Sequence, residues 1–593
     1  MDAIHPEEEI ISRRKRNRRD TPHTRFGEYE IDAGGTENDT RPKFISSIMG
    51  RVESAQSTMD ELWVQHRVHL AYALLILLII GLHVFLIWLA FIWYGPLQWL
   101  MAKTDARERW LKPLAKDLVR MWHMPYVSPL FYVVTALGLF AWVLADTWPA
   151  WHNGTNIRLM SFVGLVILVL ISICFSANPC RIKWRPVFWG LLLQFLLGIL
   201  VLRWPPGEAA FSFAADQTVT FLEYTNSGTA FTYGFLSSPP NITDAQGHTN
   251  VLQPVLAFSA LQVVVYFGAI VGVLYYLGVI QFVLVRVAML MQLTMGTTAA
   301  ESLNAAACIF LGQTEAALLI KPCLSTMTDS EIHAVMTAGY ACIAGSLFAA
   351  YIAFGACAPY LLSATVMSAP ASMAVAKILM PEIEESQQKD IRKLEFPRGE
   401  ESGILECIST GSVVAVGYVA AIVANLIVIL ALLAFLDNII WWFGDMVGYE
   451  TLSFEKIVGY VFFPLAYVMG VSDNPNSAIH INETLTVAQL MGVKTVVNEF
   501  VAYQQLGCLV VKHELGLRAR MMATYALCGF SNIGSIGIQL GIMSGMCPEK
   551  KASFARCAVR GLIAGSIACF MTACVAGVLV IDPKPCPAKC DIL

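Results

Sequence analysis

Polar and charged side chains are concentrated in residues 492–502, a segment that apolar sequence surrounds on both sides. It reads Gly-Val-Lys-Thr-Val-Val-Asn-Glu-Phe-Val-Ala and contains Lys494, Asn498 and Glu499. A charge at the centre of a bilayer costs about 2.5–3.5 kcal/mol even on lenient insertion scales, so these groups should face a polar cavity, a partner or a solute. On a continuous helix Lys494 and Asn498 would share one face. The alternative is an ion pair of Glu499 with Lys494 that only joins two helices.

A second polar segment, Gln313-Thr314-Glu315, also lies in apolar sequence. A stretch rich in Gly, Ser and aromatic residues follows each segment, at 339–346 and at 529–535. Gly, Ser and Asn within a hydrophobic run favour a break in the helix. Interrupted segments in corresponding halves of a chain indicate the binding site of a secondary transporter. We therefore expect an inverted repeat with broken helices at a solute site.

The elements that position these residues follow from the composition. The 593 residues are 56% hydrophobic and 14% charged, with a mean hydropathy of +0.59. This composition predicts an all-α polytopic membrane protein. The succession of hydrophobic segments and their interruptions along the chain indicates about 11 transmembrane helices plus two re-entrant helical hairpins. The sequence contains no metal-ligand cluster, nucleophile elbow or phosphate loop, so neither an enzyme nor a metal or organic cofactor is expected. The net charge of −4 does not indicate a nucleic-acid partner.

Charge and hydrophobicity divide the chain into six regions. The positive-inside rule places the N-terminus in the cytoplasm and the C-terminus outside the cell. The predicted regions are a disordered cytoplasmic tail (1–66), a three-helix N-terminal extension (67–148), scaffold helices with the first repeat and its re-entrant hairpin (149–380), a soluble linker (381–404), a scaffold helix with the second repeat and its re-entrant hairpin (405–582), and a C-terminal tail (583–593).

Two loops that lack Lys and Arg, 149–156 and 204–253, are predicted to be extracellular. Each carries a glycosylation sequon, at Asn153 and at Asn241. Most of the 15 cysteines lie within hydrophobic segments, as small buried thiols do. Cys586 and Cys590 could form a disulfide with each other if the C-terminus is outside the cell.

The polar segments resemble the concentrative nucleoside transporter family. The family signature Gly-X-Lys-X3-Asn-Glu-Phe-Val-Ala is matched in full at 492–502. Its Gly-Gln-Thr-Glu segment is matched at 312–315, and its Gly-Phe-X-Asn segment with a following Ser at 529–535. The three extra N-terminal spans are similar to the animal branch of the family.

The resemblance implies a homotrimer in the lipid of the plasma membrane. Each protomer would move a nucleoside, pyrimidine-leaning or broad in type, by an elevator-like shift of a transport domain. A carboxylate accepts two hydroxyl donors and an amide both donates and accepts, which suits such a solute. Another small hydroxylated or nucleobase-like solute is the alternative. The implied base contacts are Gln313, Thr314, Glu315, Leu347 and Phe530. The implied ribose contacts are Glu499, Asn532 and Ser535. Lys494 and Asn498 belong to the same signature as Glu499 and are implied to have a supporting role.

The coupling cation has two candidates. In sodium-coupled members the ion lies between the first hairpin and the first broken helix, at positions matched here by Cys308, Leu311, Cys342 and Ile343. Leu311 and Ile343 would offer carbonyl oxygens, but sodium is a hard cation and the thiols of Cys308 and Cys342 are soft ligands. Proton coupling is the competing hypothesis, because a carboxylic acid such as Glu315 or Glu499 can cycle between charged and neutral forms.

Overall fold

The computed structural model describes residues 127–152, 157–243, 249–251, 255–387, 401–449 and 452–586. These residues belong to one compact unit, Trp93–Leu593. The predicted tail 1–66 and the first two predicted spans lie outside the described residues, as do Asn153 and Cys590. The described fold is helical apart from one short antiparallel hairpin, in which β1 (Asn241–Thr243) pairs with β2 (Thr249–Val251).

Five helices occupy the described part of the chain before this hairpin. They are α1 (Val127–His152), α2 (Ile157–Cys174), α3 (Trp184–Leu202), α4 (Pro205–Glu223) and α5 (Thr225–Tyr233). The segment 204–253, predicted only as a long loop, is therefore largely helical. Proline at the start of α4 favours a helix, because the first N–H groups of a helix have no intrahelical acceptor. Glu208 in the first turn of α4 complements the helix dipole.

The apolar sequence that follows the hairpin contains two helices, α6 (Val263–Tyr276) and α7 (Val279–Met295). Gly278 separates them with φ of +77°, in the left-handed region that glycine enters without a steric penalty. This turn brings α7 to the base of the first predicted hairpin.

The first repeat contains five helices. They are α8 (Ala299–Ala307), α9 (Gln313–Leu319), α10 (Asp329–Ala341), α11 (Phe348–Ala353) and α12 (Ala358–Leu379). The pair α8 and α9 is interrupted at 308–312, and α10 and α11 are separated at 342–347. Capping boxes of Thr298 with Glu301 and of Thr328 with Glu331 fix the starts of α8 and α10.

The second repeat has the same order of elements. After α13 (Ile404–Met446) come α14 (Phe454–Val468), α15 (Ser477–Val496), α16 (Glu499–Val511), α17 (Leu517–Leu527), α18 (Ile533–Met546) and α19 (Lys551–Leu579). The expectation that Lys494 and Asn498 share one helix face was wrong, because α15 ends at Val496 and Asn498 caps α16. The Asn498 Oδ1 accepts a hydrogen bond from the Val501 N–H at 3.0 Å.

The two broken helices meet at their breaks. Gly529 has φ of +104°, and a Cβ there would lie 2.8 Å from the carbonyl oxygens of both Tyr340 and Ala341. The Phe530 N–H donates to the Cys342 carbonyl at 3.3 Å. Only glycine permits this approach, which connects the breaks of the two repeats.

Seven helical segments of the described chain are long and apolar enough to cross a membrane, judged by length and composition. The apolar window of the segment ending in α19 is 94% buried, whereas that of the 43-residue α13 is 6% buried. Thus α19 lies in the core, and the long apolar surface of α13 is available to lipid or to another chain.

Three arginines close the C-terminal end of α19. Cationic donors suit this position because the last carbonyls of a helix lack intrahelical partners and carry partial negative charge. The bonds run from Arg518 Nη2 to the Gly577 carbonyl (3.1 Å), from Arg158 Nε to that of Val578 (2.9 Å), and from Arg203 Nη1 to that of Leu579 (3.0 Å).

The predicted pairing of Cys586 with Cys590 was wrong, since Cys586 forms a disulfide with Cys357, 229 residues earlier in the chain. The chain beyond α19 turns back over the start of α12, where the Lys584 N–H donates to the Tyr360 hydroxyl at 2.8 Å. This turn places Cys586 beside Cys357, and spacing along the sequence does not reveal such a contact.

Candidate functional site

A cavity of about 550 Å³ lies where the two repeats meet, within the usual volume range of ligand pockets. Its walls come from the starts of α9, α16 and α18, the break after α10, and one face of α13. The structure brings together all the residues predicted to contact base or ribose, together with Asn498. The lining includes Gln313, Thr314, Glu315, Leu347, Asn498, Glu499, Phe530, Asn532 and Ser535.

The first polar group of the cavity is at the N-terminus of α9. The Thr314 hydroxyl donates to Glu315 Oε2 at 2.7 Å. Gln313 is 7% exposed, and its Oε1 accepts no hydrogen bond from any described residue. Because an unpaired buried acceptor costs about 1–3 kcal/mol, Gln313 is suited to a solute that brings a donor.

Gly312 determines where the carboxylate of Glu315 can lie. A Cβ at position 312 would collide with Glu315 Oε2, so the absence of a side chain lets the carboxylate fold back over the start of α9. The residue type at 312 therefore controls the shape of this wall.

The second polar group centres on Glu499, which is 1% exposed. Its Oε1 accepts from the Tyr351 hydroxyl at 3.0 Å and its Oε2 from Asn532 Nδ2 at 2.7 Å. The Asn532 Oδ1 in turn accepts from the Ser535 N–H at 2.8 Å and caps α18. The carboxylate is thus oriented by neutral donors toward the cavity.

Lys494 is not the ion-pair partner of Glu499, so that alternative was wrong. Lys494 is fully buried, and its Nζ donates to the carbonyls of Ala526 at 3.1 Å and Cys528 at 3.3 Å. The same ammonium lies 5.6 Å from the ring centroid of Phe570. Lys494 therefore closes the C-terminal end of α17 and stabilises the second break.

Helix N-termini converge on the cavity. Glu315 and Glu499 each lie in the first turn of a helix, α9 and α16 respectively. The unpaired N–H groups of a first turn carry partial positive charge, which favours carboxylates there. The breaks in the helices thus stabilise the acids electrostatically as well as positioning them.

The residues predicted at an ion site are less well suited to sodium. Cys308 and Cys342 are both buried, with thiols that contact Asn304 Nδ2 at 3.7 Å and the Thr365 carbonyl at 3.9 Å, respectively. Among the described residues, no backbone N–H donates to the carbonyl oxygen of Leu311 or of Ile343. Main-chain oxygens are present, but both side-chain positions carry sulfur.

Sequence reasoning missed three residues of this region. Tyr351 orients Glu499, while Tyr418 and Asn425 line the cavity from α13. The Tyr418 hydroxyl contacts the Thr314 side chain and lies near Glu315. A polar residue within the apolar α13 was the signal available for Asn425.

Family comparisons agree with this architecture along the chain. Residues 360–577 match the family model described as Na+ dependent nucleoside transporter C-terminus, residues 163–236 the corresponding N-terminus, and residues 257–358 the model Gate: Nucleoside recognition. Together these matches cover most of the described residues.

Individual relatives are similar over most of their length. Solute carrier family 28 member 3 of Eptatretus stoutii is 41% identical over 490 residues, which are 80% of this chain and 68% of that protein. Sodium/nucleoside cotransporter 2 of Rattus norvegicus is 41% identical over 497 residues, 81% of this chain and 70% of that one.

Solved structures of the transporter CNTnw share the fold. Its inward-facing substrate-bound state is 33% identical with a TM-score of 0.64, and an outward-facing state of a CNTnw variant gives 33% and 0.65. Each comparison covers 71% of this chain and 98% of the other. The relatives are named as transporters, and the chain belongs to the concentrative, Na+-dependent nucleoside transporter family of multi-pass membrane proteins, not to an enzyme family.

Proposed function

We propose that this protein accumulates nucleosides in the cell by cation-coupled transport across the plasma membrane. The observation that carries the proposal is the buried carboxylate of Glu499, held by Tyr351 and Asn532, in one cavity with the unpaired Gln313 Oε1. A ribose supplies hydroxyl donors for a carboxylate, and a base supplies N–H donors for an amide oxygen. One solute can thereby pair both groups.

The proposed substrates are nucleosides, with a broad or pyrimidine-leaning preference. Leu347 and Phe530 provide the apolar surfaces between which a planar base can pack. Because Gly312 has no side chain, the Glu315 carboxylate can fold back over the start of α9 and leave room in the cavity, which supports acceptance of the larger purines as well.

The proposed mechanism is an elevator-like movement within a homotrimer. The long and largely exposed α13 supports a role as scaffold and trimer contact, while the repeats carry the cavity past it. Relatives captured in inward-facing and outward-facing states support alternating access. The proposed orientation has the N-terminus in the cytoplasm and the C-terminus outside, which the Cys357–Cys586 disulfide supports because disulfides persist in oxidising compartments.

Sodium and protons remain the two proposed coupling ions. The names of the relatives favour sodium. Thiols at Cys308 and Cys342 instead predict that sodium binds weakly at the family position, and protonation of Glu315 or Glu499 is the alternative.

The test is uptake of labelled uridine by the purified protein in liposomes, with sodium replaced by choline at pH 5.5 and at pH 7.5. Accumulation that requires sodium supports sodium coupling, whereas unchanged uptake in choline excludes it. Stimulation by an inward proton gradient supports proton coupling, and its absence excludes it.

The solute class needs a separate measurement. Adenosine, uracil and ribose are each tested as competitors of labelled uridine uptake in the same liposomes. Competition by adenosine but not by free base or free sugar is expected if both ends of the cavity are used. If free ribose or free uracil competes as well as uridine, the nucleoside assignment fails.

Glu315→Ala and Glu499→Ala should each abolish accumulation, and full accumulation by either variant would also exclude the proposed site.

A further inference from the structure

Asn425 on α13 has no role in the site as described above, and no described residue is its hydrogen-bond partner. Asn425 lies within a 43-residue helix whose apolar window is only 6% buried. Its side chain lines the cavity and makes no hydrogen bond with the residues that the structure describes. A polar side chain on an otherwise apolar helix is best placed where it can be paired, and the cavity is where Asn425 can meet a partner.

A second asparagine on the same helix provides the contrast. Asn438 Nδ2 donates to the carbonyl of Ala434, one turn earlier, at 2.9 Å. That residue satisfies its amide within its own helix, whereas Asn425 does not. The amide of Asn425 is therefore available to a ligand, although both side chains are exposed on one helix.

The face of α13 on which Asn425 lies runs along the cavity. The lining positions Tyr418, Ile422, Asn425 and Ile429 recur at the spacing of one helix face. Tyr418 faces Thr314 and Glu315, at the end of the cavity proposed to bind the base.

Ile429 marks the other end of this face. The Cδ1 of Ile429 lies 3.8 Å from the position that a Cβ would occupy on Gly534. In the sequence, Gly534 stands between the predicted ribose contacts Asn532 and Ser535. At a rise of 1.5 Å per residue, Asn425 is about 6 Å from Ile429 and about 10 Å from Tyr418 along the axis. Asn425 thus lies nearer the end where Glu499 and Asn532 are found.

We propose that Asn425 hydrogen-bonds a sugar hydroxyl of the bound nucleoside from the wall opposite Glu499, and so determines specificity for the sugar. The proposal rests on nucleoside transport as the function of this cavity. An amide can both donate to and accept from one hydroxyl. A sugar held between the repeats and α13 would then have polar contacts on two sides.

The experiment compares wild type, Asn425→Leu and Asn425→Ala for uptake of uridine and of its 2′-deoxy, 3′-deoxy and 5′-deoxy analogues in liposomes. Leucine suits an apolar helix and has a similar size, so insertion and folding should be preserved. Removing one neutral hydrogen bond should raise KM for uridine about 3- to 10-fold. The analogue that lacks the contacted hydroxyl should show the same KM in wild type and in both variants.

Asn438→Ala is the matched control and should leave every KM unchanged, since its amide bonds only within α13. Unchanged uridine KM in both Asn425 variants would overturn the proposal, as would equal fold-increases for uridine and all three analogues. Reduced trimer yield with unchanged sugar selectivity would assign Asn425 to a contact between chains and also overturn it. If the wild type accumulates no nucleoside, the proposed function itself fails, which is a distinct result.

Discussion

At the scale of single residues, the cavity is built from polar groups that orient one another. Glu499 receives donors from Tyr351 and Asn532, and Glu315 receives one from Thr314. Because these bonds are formed inside the repeats, the carboxylates are in place before a solute arrives. Preorganised groups of this kind lower the cost of ordering a binding site.

Replacing Glu499 by Gln tests the carboxylate without changing its size. Glutamine offers one acceptor oxygen, so Tyr351 or Asn532 will face an N–H group in place of an acceptor. Hydrogen bonds to a charged group are worth about 1.5–3 kcal/mol, which predicts a 10- to 100-fold fall in kcat/KM for uridine. Tyr351→Phe, which keeps the carboxylate, should cause a smaller loss. Wild-type kinetics in Glu499→Gln would contradict the assignment.

Gly312→Ala should change binding more than folding. The added Cβ meets the far end of the flexible Glu315 side chain, which can rotate away at little cost, and it would lie 3.1 Å from the Cβ of Ala344, which must shift by a few tenths of an ångström. The rotation breaks the bond with Thr314, so KM for uridine should rise about 3- to 10-fold, with only a small fall in melting temperature. Gly541→Ala in α18, where a Cβ meets nothing within 4 Å, is the control and should leave KM unchanged without lowering the melting temperature, since alanine favours a helix more than glycine does.

At the scale of elements, the site depends on where helices stop. Asn498 and Asn532 cap α16 and α18 with their side chains, and Lys494 closes the end of α17. Each break exposes helix ends that would be costly in an apolar core without these partners. The breaks are thus stabilised by specific residues, and they place Glu499 at a helix start.

Gly529→Ala should disrupt the contact between the two breaks. Alanine is strained at φ of +104°, and its Cβ would lie 2.8 Å from two carbonyl oxygens and 2.7 Å from Cys569 Sγ. The expected loss is about 2 kcal/mol or more of unfolding free energy. Thermal unfolding in detergent measures it, with Gly545→Ala, which has open space at its Cβ, as the control. An unchanged melting temperature would show that this close approach is not required.

At the scale of the whole molecule, the chain beyond α19 is fastened to the start of α12. The Cys357–Cys586 disulfide and the bond from the Lys584 N–H to Tyr360 hold it. The Lys584 side chain also donates to Glu208 at the start of α4, and this hydrogen bond raises the pKa of Lys584. The hydrogen bond thus favours the ammonium form and adds a contact between the chain beyond α19 and α4.

Reduction of this disulfide should lower stability and reveal its side of the membrane. A disulfide that closes a long loop is worth about 2–4 kcal/mol, so a reductant should lower the melting temperature of the wild type by more than that of a Cys357→Ser/Cys586→Ser variant. Treatment of intact cells with a membrane-impermeant reductant should produce the same difference in melting temperature between the wild type and this variant. No effect from outside, with an effect after permeabilisation, would place the C-terminus in the cytoplasm and contradict the proposed orientation.

Much of the fold could be predicted from local sequence. The polar segments at 313–315 and 492–502 marked interruptions in helices, because Gly, Asn and acids are unfavourable in a lipid-facing helix. The helix interruptions that hold Glu315 and Glu499 were thus visible in the sequence. Helix α12 was less visible as a separate span, since it contains Pro370 and many small polar residues.

The sequence by itself determined the membrane class, the repeat and the polar segments that line the cavity, because each follows from the cost of placing polar groups in apolar surroundings. The individual base and ribose contacts were implied by the family resemblance, and Tyr351, Tyr418 and Asn425 were missed. Only the tertiary structure decided their partners. Lys494 binds the end of α17 and not Glu499, Cys586 pairs with Cys357, and Asn425 faces the cavity from a distant helix. These contacts join residues far apart in the chain, and they depend on how the repeats pack, which no local pattern of residue types records.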